Sequence, residues 1–327
     1  MTARLSTRFT ELVGIRLPIV QAGMSWVSSC AELPLAVSEA GGLGVVAAGP
    51  MRLPDLRRVL DAVATGTRQP WAVNLPLYRP EVDQAIRLLL DAAPPVLIAS
   101  QGGPRRYLAD FKSVGTICVQ VVASVAHARK AIDAGVDALV VVGGEAGGHP
   151  PESQVSSLVL TRLLARDAAE VPLVAAGGFA DGAGLAAALA LGADAVQFGT
   201  RFIASAEARI HPAYRAAVVH AAAEDTELVG RGLGPVRVLR NRFAEEMLEL
   251  ERTGAPLAER RRRFDAGPLR AAAQDGAVDD AKVEAGQSAG LIDGVEPAAD
   301  IVLRIAEDCA EVMRRLTTLV QHPAPAP

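Results

Sequence analysis

Two glycine-rich segments carry the residues best suited to binding an anion. The first, AGGFADG at 176–182, lies between a predicted strand and a predicted helix; the second, QFGTRF at 197–202, follows the last predicted strand. Glycine lets an anion approach bare backbone N–H groups, and a threonine adds a hydroxyl donor. Each loop alone could be only a tight turn, but two at adjacent strand ends predict a phosphate site. The candidate residues are Gly177, Gly178, Gly199 and Thr200.

A third segment, GGEAGGHP at 143–150, presents His149 in a loop with little side-chain bulk. An imidazole titrates near neutral pH, so a histidine at a strand's carboxyl end is suited to proton transfer. The alternative is a surface histidine in a flexible loop. Glu145 either accepts a hydrogen bond from a ligand or caps this loop. His127 and His220 lie in predicted helices, where a structural or solvated role is expected.

Eight short apolar runs are predicted to be the strands that position these residues. Their apolar character is continuous rather than alternating, which is typical of parallel strands buried on both faces. Helix-like, alanine- and leucine-rich stretches separate them, and AGMSW follows the first run where a dinucleotide-binding fold would need G-x-G-x-x-G. The pattern predicts a (β/α)8 TIM barrel of the α/β class. The runs are 17–21, 43–48, 71–75, 95–100, 116–122, 137–142, 172–177 and 194–198.

The pattern changes after the eighth run. Residues 206–287 are charged and helix-like, without a strand-like run, and predict a helical insertion that forms a substrate lid over the barrel mouth. An amphipathic helix at about 297–320 is expected to be the eighth barrel helix. The predicted barrel therefore comprises 1–205 and 288–320, and the proline-rich tail 321–327 is expected to be disordered.

Composition excludes several classes of protein. The 327 residues are 50% hydrophobic and 21% charged, with a net charge of −4, so neither disorder nor a strong field for nucleic acid or membrane is indicated. Apolar stretches are too short for a transmembrane helix, and residues 1–11 lack the apolar core of a signal peptide. Three separated cysteines and five histidines without ligand spacing predict no metal site. We expect a cytoplasmic protein.

Seven motifs in order resemble the nitronate monooxygenase (2-nitropropane dioxygenase) superfamily, which includes flavin enoyl-ACP reductase II enzymes and NADH:quinone reductases. The resemblance spans about residues 7–318. The motifs are QAGM at 21–24, AGGLG at 40–44, VNL at 73–75, GEAGGH at 144–149, AGGFADG at 176–182, GTRF at 199–202 and AGQSAGL at 285–291.

The resemblance implies an FMN-binding barrel with His149 as the active-site histidine beside the flavin. FMN supplies the redox chemistry, and the protein aims the substrate at it. By the same resemblance the phosphate lies on the four residues named above, and other residues contact the ring or ribityl chain, with Trp26 also a candidate wall. Those residues are Gly23, Met24, Asn74 and Gln197.

The chain departs from the family pattern in the histidine loop and nearby. Val142 stands where many relatives have an acidic residue. Gly144 stands where they often have Met or Phe, and Pro151 where they usually have glycine. Gln120 stands where some reductases carry lysine. These changes predict a roomier, less charged loop and weaken any transfer of activity from one subfamily.

Three functions compete at this point. The first, which the breadth of the resembled family favours and which is the predicted function, is nitronate monooxygenation, in which O2 converts alkyl nitronates to carbonyl compounds and nitrite. It needs only a small apolar pocket beside His149. The second is NAD(P)H-dependent reduction of an enone, enoyl thioester or quinone. The third, a non-redox barrel acting on a phosphorylated metabolite, fits the motifs less well.

Arg260–Arg263 could dock an acidic carrier or nucleotide phosphate, or form a solvated helix face. A small-molecule substrate is expected, with no nucleic-acid or membrane partner, and a homodimer is an open alternative.

Overall fold

Eight parallel strands form the centre of the molecule. The computed structural model describes residues 5–168 and 170–319. All eight predicted strands are present, because residues buried on both faces of a sheet give continuous apolar runs. They are β1 (Ile19–Gln21), β2 (Gly44–Ala47), β3 (Trp71–Pro76), β4 (Val96–Ser100), β5 (Ile117–Val122), β6 (Ala138–Val142), β7 (Leu173–Ala176) and β8 (Ala195–Phe198).

The strands close into a TIM barrel, as predicted. Their order is β1-β8-β7-β6-β5-β4-β3-β2, and a bridge between Val20 and Leu43 joins the two ends. Few backbone bonds cross this seam, and the buried Gln21 side chain supplements them. Its Oε1 accepts from Val45 N at 2.9 Å and its Nε2 donates to Val45 O at 3.2 Å. A side-chain amide thus extends the closing ladder.

Alternate strand residues point into the barrel and fill it. Val20, Val45, Val140 and Val174 belong to a buried cluster to which every strand contributes. Phe9, from the short helix that precedes β1, joins this cluster and covers the amino-terminal end of the barrel. The opposite, carboxyl-terminal end of the barrel is therefore the one open to a site.

Helices surround the barrel. The helix before β1 is α1 (Arg8–Val13), and the last helix packs against the helices at Gly182–Leu191 and Glu32–Glu39, as expected of the eighth barrel helix. The others are α2 (Glu32–Glu39), α3 (Leu53–Gly66), α4 (Val82–Ala92), α5 (Leu108–Ser113), α6 (Val125–Ala134), α7 (Ser157–Asp167), α8 (Gly182–Leu191), α9 (Thr200–Ile203), α10 (Pro212–His220), α11 (Arg242–Arg252), α12 (Leu257–Ala266), α13 (Leu269–Asp275) and α14 (Ala298–Thr317). Short 3-10 helices span Pro104–Arg106, Ala223–Asp225 and Gln287–Leu291.

The insertion at 206–287, called the lid here, is not purely helical. It contains two antiparallel strands, β9 (Thr226–Val229) and β10 (Val236–Leu239), so the prediction of no strand in this region was wrong. The strands are only four residues long and their turn is rich in glycine, which concealed them within a charged stretch. Val229, Val238 and Phe243 form part of a small apolar core of the lid's own.

No helix in the described residues has the length and apolar character that a membrane crossing requires. The predicted disordered tail, 321–327, lies outside the described residues.

Candidate functional site

A cavity of about 1050 Å³ opens at the carboxyl ends of the barrel strands, between the barrel and the lid. All nine residues that the sequence singled out for a cofactor or for catalysis line this one cavity, although their roles remain predictions. They are Gly23, Met24, Asn74, His149, Gly177, Gly178, Gln197, Gly199 and Thr200. Trp26 lines it as well, with an unusual positive φ of 69°.

The two glycine-rich loops form a cradle with free donors. Gly177 and Gly178 have φ values of 96° and 80°, a left-handed conformation that favours glycine. Within the described residues, no protein acceptor takes the N–H groups of Gly178, Gly199 or Thr200. Thr200 Oγ1 accepts from Gly286 N at 2.9 Å, which leaves its own hydrogen to be donated. Several unpaired donors at one place fit an anion with several oxygens.

Gly23 lets the loop after β1 approach β3. A Cβ at Gly23 would lie 2.3 Å from Asn74 Cβ, so no other residue fits there. Asn74 Nδ2 donates to Ile98 O at 3.1 Å, and this bond fixes the side chain at the cavity floor. In the described residues no donor reaches the Asn74 carboxamide oxygen, so it is able to accept from a ligand.

The loop that carries His149 is attached to the lid strand β10. Gly148 and Arg237 exchange two backbone hydrogen bonds, of 3.1 and 2.7 Å. The Arg237 guanidinium, which is 8% exposed, also donates to Gly144 O at 3.0 Å and to Gln154 Oε1 at 2.9 Å. His149 itself is exposed to the cavity. The lid therefore holds the histidine loop in place as well as covering the cavity.

Two ionisable residues that the sequence analysis missed lie in the same cavity as His149. Lys282 and Glu284 both line the cavity. Burial lowers the pKa of Lys282 to about 8, although the nearby Glu284 charge acts in the opposite direction. Burial raises the pKa of Glu284, partly offset by the charges of His149 and Lys282. Their position just before the AGQSAGL motif is the one signal in the sequence that could have indicated them.

Two expectations about the histidine loop change with the structure. The Glu145 carboxylate accepts from Ser157 N at 2.9 Å and from Ser157 Oγ at 2.8 Å, so it caps α7 rather than facing a ligand. A Cβ at Gly144 would lie 2.8 Å from the backbone of Gln154. The prediction of a roomier loop at Gly144 was wrong, because the chain that follows fills that space.

Other candidates lie outside the centre of the site. None of Arg260–Arg263 lines the cavity: Arg261 and Arg262 are exposed, Arg260 donates to Arg231 O at 3.0 Å, and the Arg263 guanidinium lies 4.7 Å from the Phe243 ring centre. His127 lies at the cavity edge on an exposed part of α6. Across 5–168 and 170–319, no group of three or more His, Cys, Asp or Glu side chains could hold a metal ion.

Comparisons with known proteins match this architecture. The family model described as nitronate monooxygenase matches residues 6–85 and 78–308. A nitronate monooxygenase of Paraburkholderia phytofirmans (strain DSM 17436 / LMG 22146 / PsJN) is 32% identical over 357 residues, covering 93% of this chain and 95% of the relative. FabK from Thermotoga maritima superimposes with a TM-score of 0.91 at 38% identity, covering 97% of this chain and 100% of that chain.

A second relative carries a different activity in its name. The (3aS,4S,5R,7aS)-5-hydroxy-7a-methyl-1-oxo-octahydro-1H-indene-4-carboxyl-CoA dehydrogenase of Mycobacterium tuberculosis (strain ATCC 25618 / H37Rv) is 35% identical over 245 residues. The match covers 75% of this chain and 69% of the relative. The similar proteins thus include more than one reaction.

Proposed function

Because the chain belongs to the nitronate monooxygenase family, we propose that its cavity binds FMN and that it is an NAD(P)H-dependent reductase of a carbon–carbon double bond conjugated to a carbonyl group. Enones and enoyl thioesters are the substrate classes. Bound FMN would supply hydride transfer, while the protein binds and orients the substrate and handles the proton.

The residues present fit FMN. Its phosphate needs several donors, and the cradle at Gly177, Gly178, Gly199 and Thr200 leaves donors without a protein acceptor. Its ring system needs space against the backbone at the strand ends, and the Gly23 loop, packed closely on Asn74, lines the cavity there. Met24, Asn74 and Gln197 would hold the ring or the ribityl chain. His149 would orient the substrate carbonyl or exchange a proton with it.

The lining of the cavity favours a reductase. The cavity of about 1050 Å³ lies just above the range of about 300–1,000 Å³ found for ligand sites. A short nitronate needs only a small apolar pocket, whereas Lys282, Glu284, Tyr78 and Tyr214 line this one. An ionised Glu284 would also repel an anionic nitronate.

Nitronate oxidation is the second candidate. It is favoured by the family match and by the relative of that name, which is matched over 95% of its length. Its substrate is an anion, so the protonated forms of His149 and Lys282 would have to balance Glu284.

An anaerobic titration of the purified protein separates the two candidates. We expect a flavin band near ~450 nm that NADH or NADPH bleaches and that 2-cyclohexen-1-one or crotonyl-CoA then restores. Restoration by menadione alone would identify a quinone reductase instead. Bleaching by propionate 3-nitronate and by neither nucleotide would establish the second candidate. The absence of a flavin band after addition of FMN would overturn both.

A further inference from the structure

The side chain of Glu284 stands out in the cavity because its carboxylate has no bonding partner within the described residues. Two ionisable groups of the same region do have partners: Glu145 is bound by Ser157, and Lys282 Nζ donates to Phe264 O. Lys282 also lies 3.8 Å from the Phe264 ring centre. A half-buried carboxyl group that lines the cavity without a bonding partner is available to contact a ligand.

The backbone around Glu284 is firmly held. Leu239 N donates to Val283 O at 2.8 Å, and the Tyr214 hydroxyl donates to Glu284 O at 2.8 Å. On the other side the chain crosses the histidine loop at close range, because a Cβ at Gly147 would lie 2.5 Å from Gly286 N. The carboxyl group is therefore placed by rigid surroundings and not by its own contacts.

Glycine in the histidine loop brings the carboxyl group next to His149. A Cβ at Gly148 would lie 3.0 Å from Glu284 Oε2. A side chain at position 148 would therefore crowd the carboxyl group, and glycine leaves room for it. The titratable groups that face it are His149, Lys282, Tyr78 and Tyr214. Burial favours the neutral acid, while the charges of His149 and Lys282 favour the carboxylate.

We infer that Glu284 is a second catalytic acid–base residue, which exchanges a proton with the substrate carbon beside the carbonyl group while His149 binds the carbonyl oxygen. This role rests on the proposed reductase function. A hydride, supplied under that function by NAD(P)H through the flavin, adds to the β-carbon. The electron pair displaced onto the α-carbon then forms a C–H bond as the O–H bond of Glu284 breaks. The resulting carboxylate regains a proton from water.

The first test measures the protonation of Glu284 without turnover. Protein labelled with 13C at the glutamate carboxyl carbons is titrated by NMR, and the resonance absent from Glu284→Gln identifies the group. We expect its midpoint to lie clearly above the ordinary glutamate value of about 4.3. A midpoint at or below that value would overturn the inference.

The second test separates the two half-reactions. In Glu284→Gln we expect reduction of the flavin by NAD(P)H to be unchanged and its reoxidation by 2-cyclohexen-1-one to slow about 10²-fold, because general acids contribute 10²–10⁴-fold. The limb of the pH profile that reports this acid should also disappear. Glu259→Gln, on an exposed part of α12, is the matched control and should behave as wild type.

The outcomes distinguish the two proposals. If the wild-type protein turns over and Glu284→Gln has the same reoxidation rate and pH profile, the role of Glu284 is overturned and the reductase function stands. Wild-type protein that binds no flavin, or whose reduced flavin is not reoxidised by either carbonyl compound, would overturn the reductase function and this role with it. Equal slowing of both half-reactions would indicate a structural defect and would also overturn the role.

Discussion

At the scale of single residues, the glycines in the cavity serve different purposes. Gly177 and Gly178 have left-handed backbones, and Gly23 permits a close approach that a Cβ would prevent. Gly199 fits neither explanation: its φ is −100°, and an added Cβ would lie 3.7 Å from the nearest atom, an ordinary contact. The protein alone does not require glycine at 199, which is consistent with a residue kept bare for a ligand.

The change Gly199→Ala should therefore weaken FMN binding without destabilising the fold. We expect the Kd for FMN to rise about tenfold, equivalent to ~1.4 kcal/mol, because the methyl group would obstruct the phosphate. Fluorescence titration of the protein measures the Kd, and thermal unfolding checks the fold. Gly294→Ala is the control, because its Cβ meets nothing within 4 Å. An unchanged Kd would remove Gly199 from the phosphate site.

The change His149→Ala tests the predicted catalytic residue. Since the imidazole belongs to no part of the cradle, FMN should be retained at wild-type stoichiometry. Turnover should fall by about 10²-fold or more, the contribution of a general acid or base. Flavin content from the absorption spectrum and steady-state rates give the two quantities. Full activity in this variant would exclude His149 from the chemistry.

At the scale of structural elements, β10 joins the lid to the histidine loop. Arg237 lies on this strand, and its guanidinium reaches Gly144 and Gln154 on the barrel side. Burial lowers the pKa of Arg237, while the charges of Glu145 and Glu227 oppose that effect. The contact combines backbone pairing with charged hydrogen bonds, so the lid and the histidine loop should move as one unit.

The change Arg237→Met should loosen that connection. Loss of the buried charged hydrogen bonds should lower the free energy of unfolding by about 2–3 kcal/mol and reduce turnover more than FMN affinity. Arg240→Met is the matched control, since Arg240 lies just beyond β10 in an exposed ion pair with Glu227 and should change little. Urea unfolding and steady-state kinetics test the pair. Equal effects of the two substitutions would contradict the proposed connection.

At the scale of the whole molecule, the cavity makes stability depend on pH through two groups. Burial raises the pKa of Glu284 above the unfolded value of about 4.3, so the neutral acid is favoured in the folded protein. Its contribution to the free energy of unfolding is present at low pH and is lost as pH rises through the folded pKa. The pKa of Lys282 falls to about 8 from about 10.4, so the neutral amine is favoured in the folded protein. Its contribution to the free energy of unfolding is present at high pH and is lost as pH falls from about 10.4 to about 8. At neutral pH both groups therefore reduce stability.

The change Glu284→Gln should accordingly stabilise the protein at neutral pH. We expect a rise in Tm of a few degrees at pH 7.5 that shrinks toward pH 4, where the wild-type carboxyl group is also neutral. Differential scanning calorimetry across this range measures the effect. A lower Tm at pH 7.5 would mean that the charges of His149 and Lys282 outweigh the effect of burial.

Much of the fold is determined by the local sequence. Parallel strands buried on both faces need runs such as 137–142 and 172–177, and the strands β6 and β7 lie within those runs. The short lid strands β9 and β10 do not need a continuous apolar run, because they cover only a small apolar core. Residue types alone therefore could not distinguish them from loop.

The sequence by itself determined the barrel and the strand-end residues that line the cavity, because strand ends and glycine turns are local features that all meet at one end of a parallel barrel. Only the tertiary structure decided which groups lie next to His149. Arg237 and Glu284 reach the histidine loop from positions far along the chain, through a strand pairing and a glycine crossing that no local pattern records. Their contacts depend on how the lid closes over the barrel, which is a property of the whole fold.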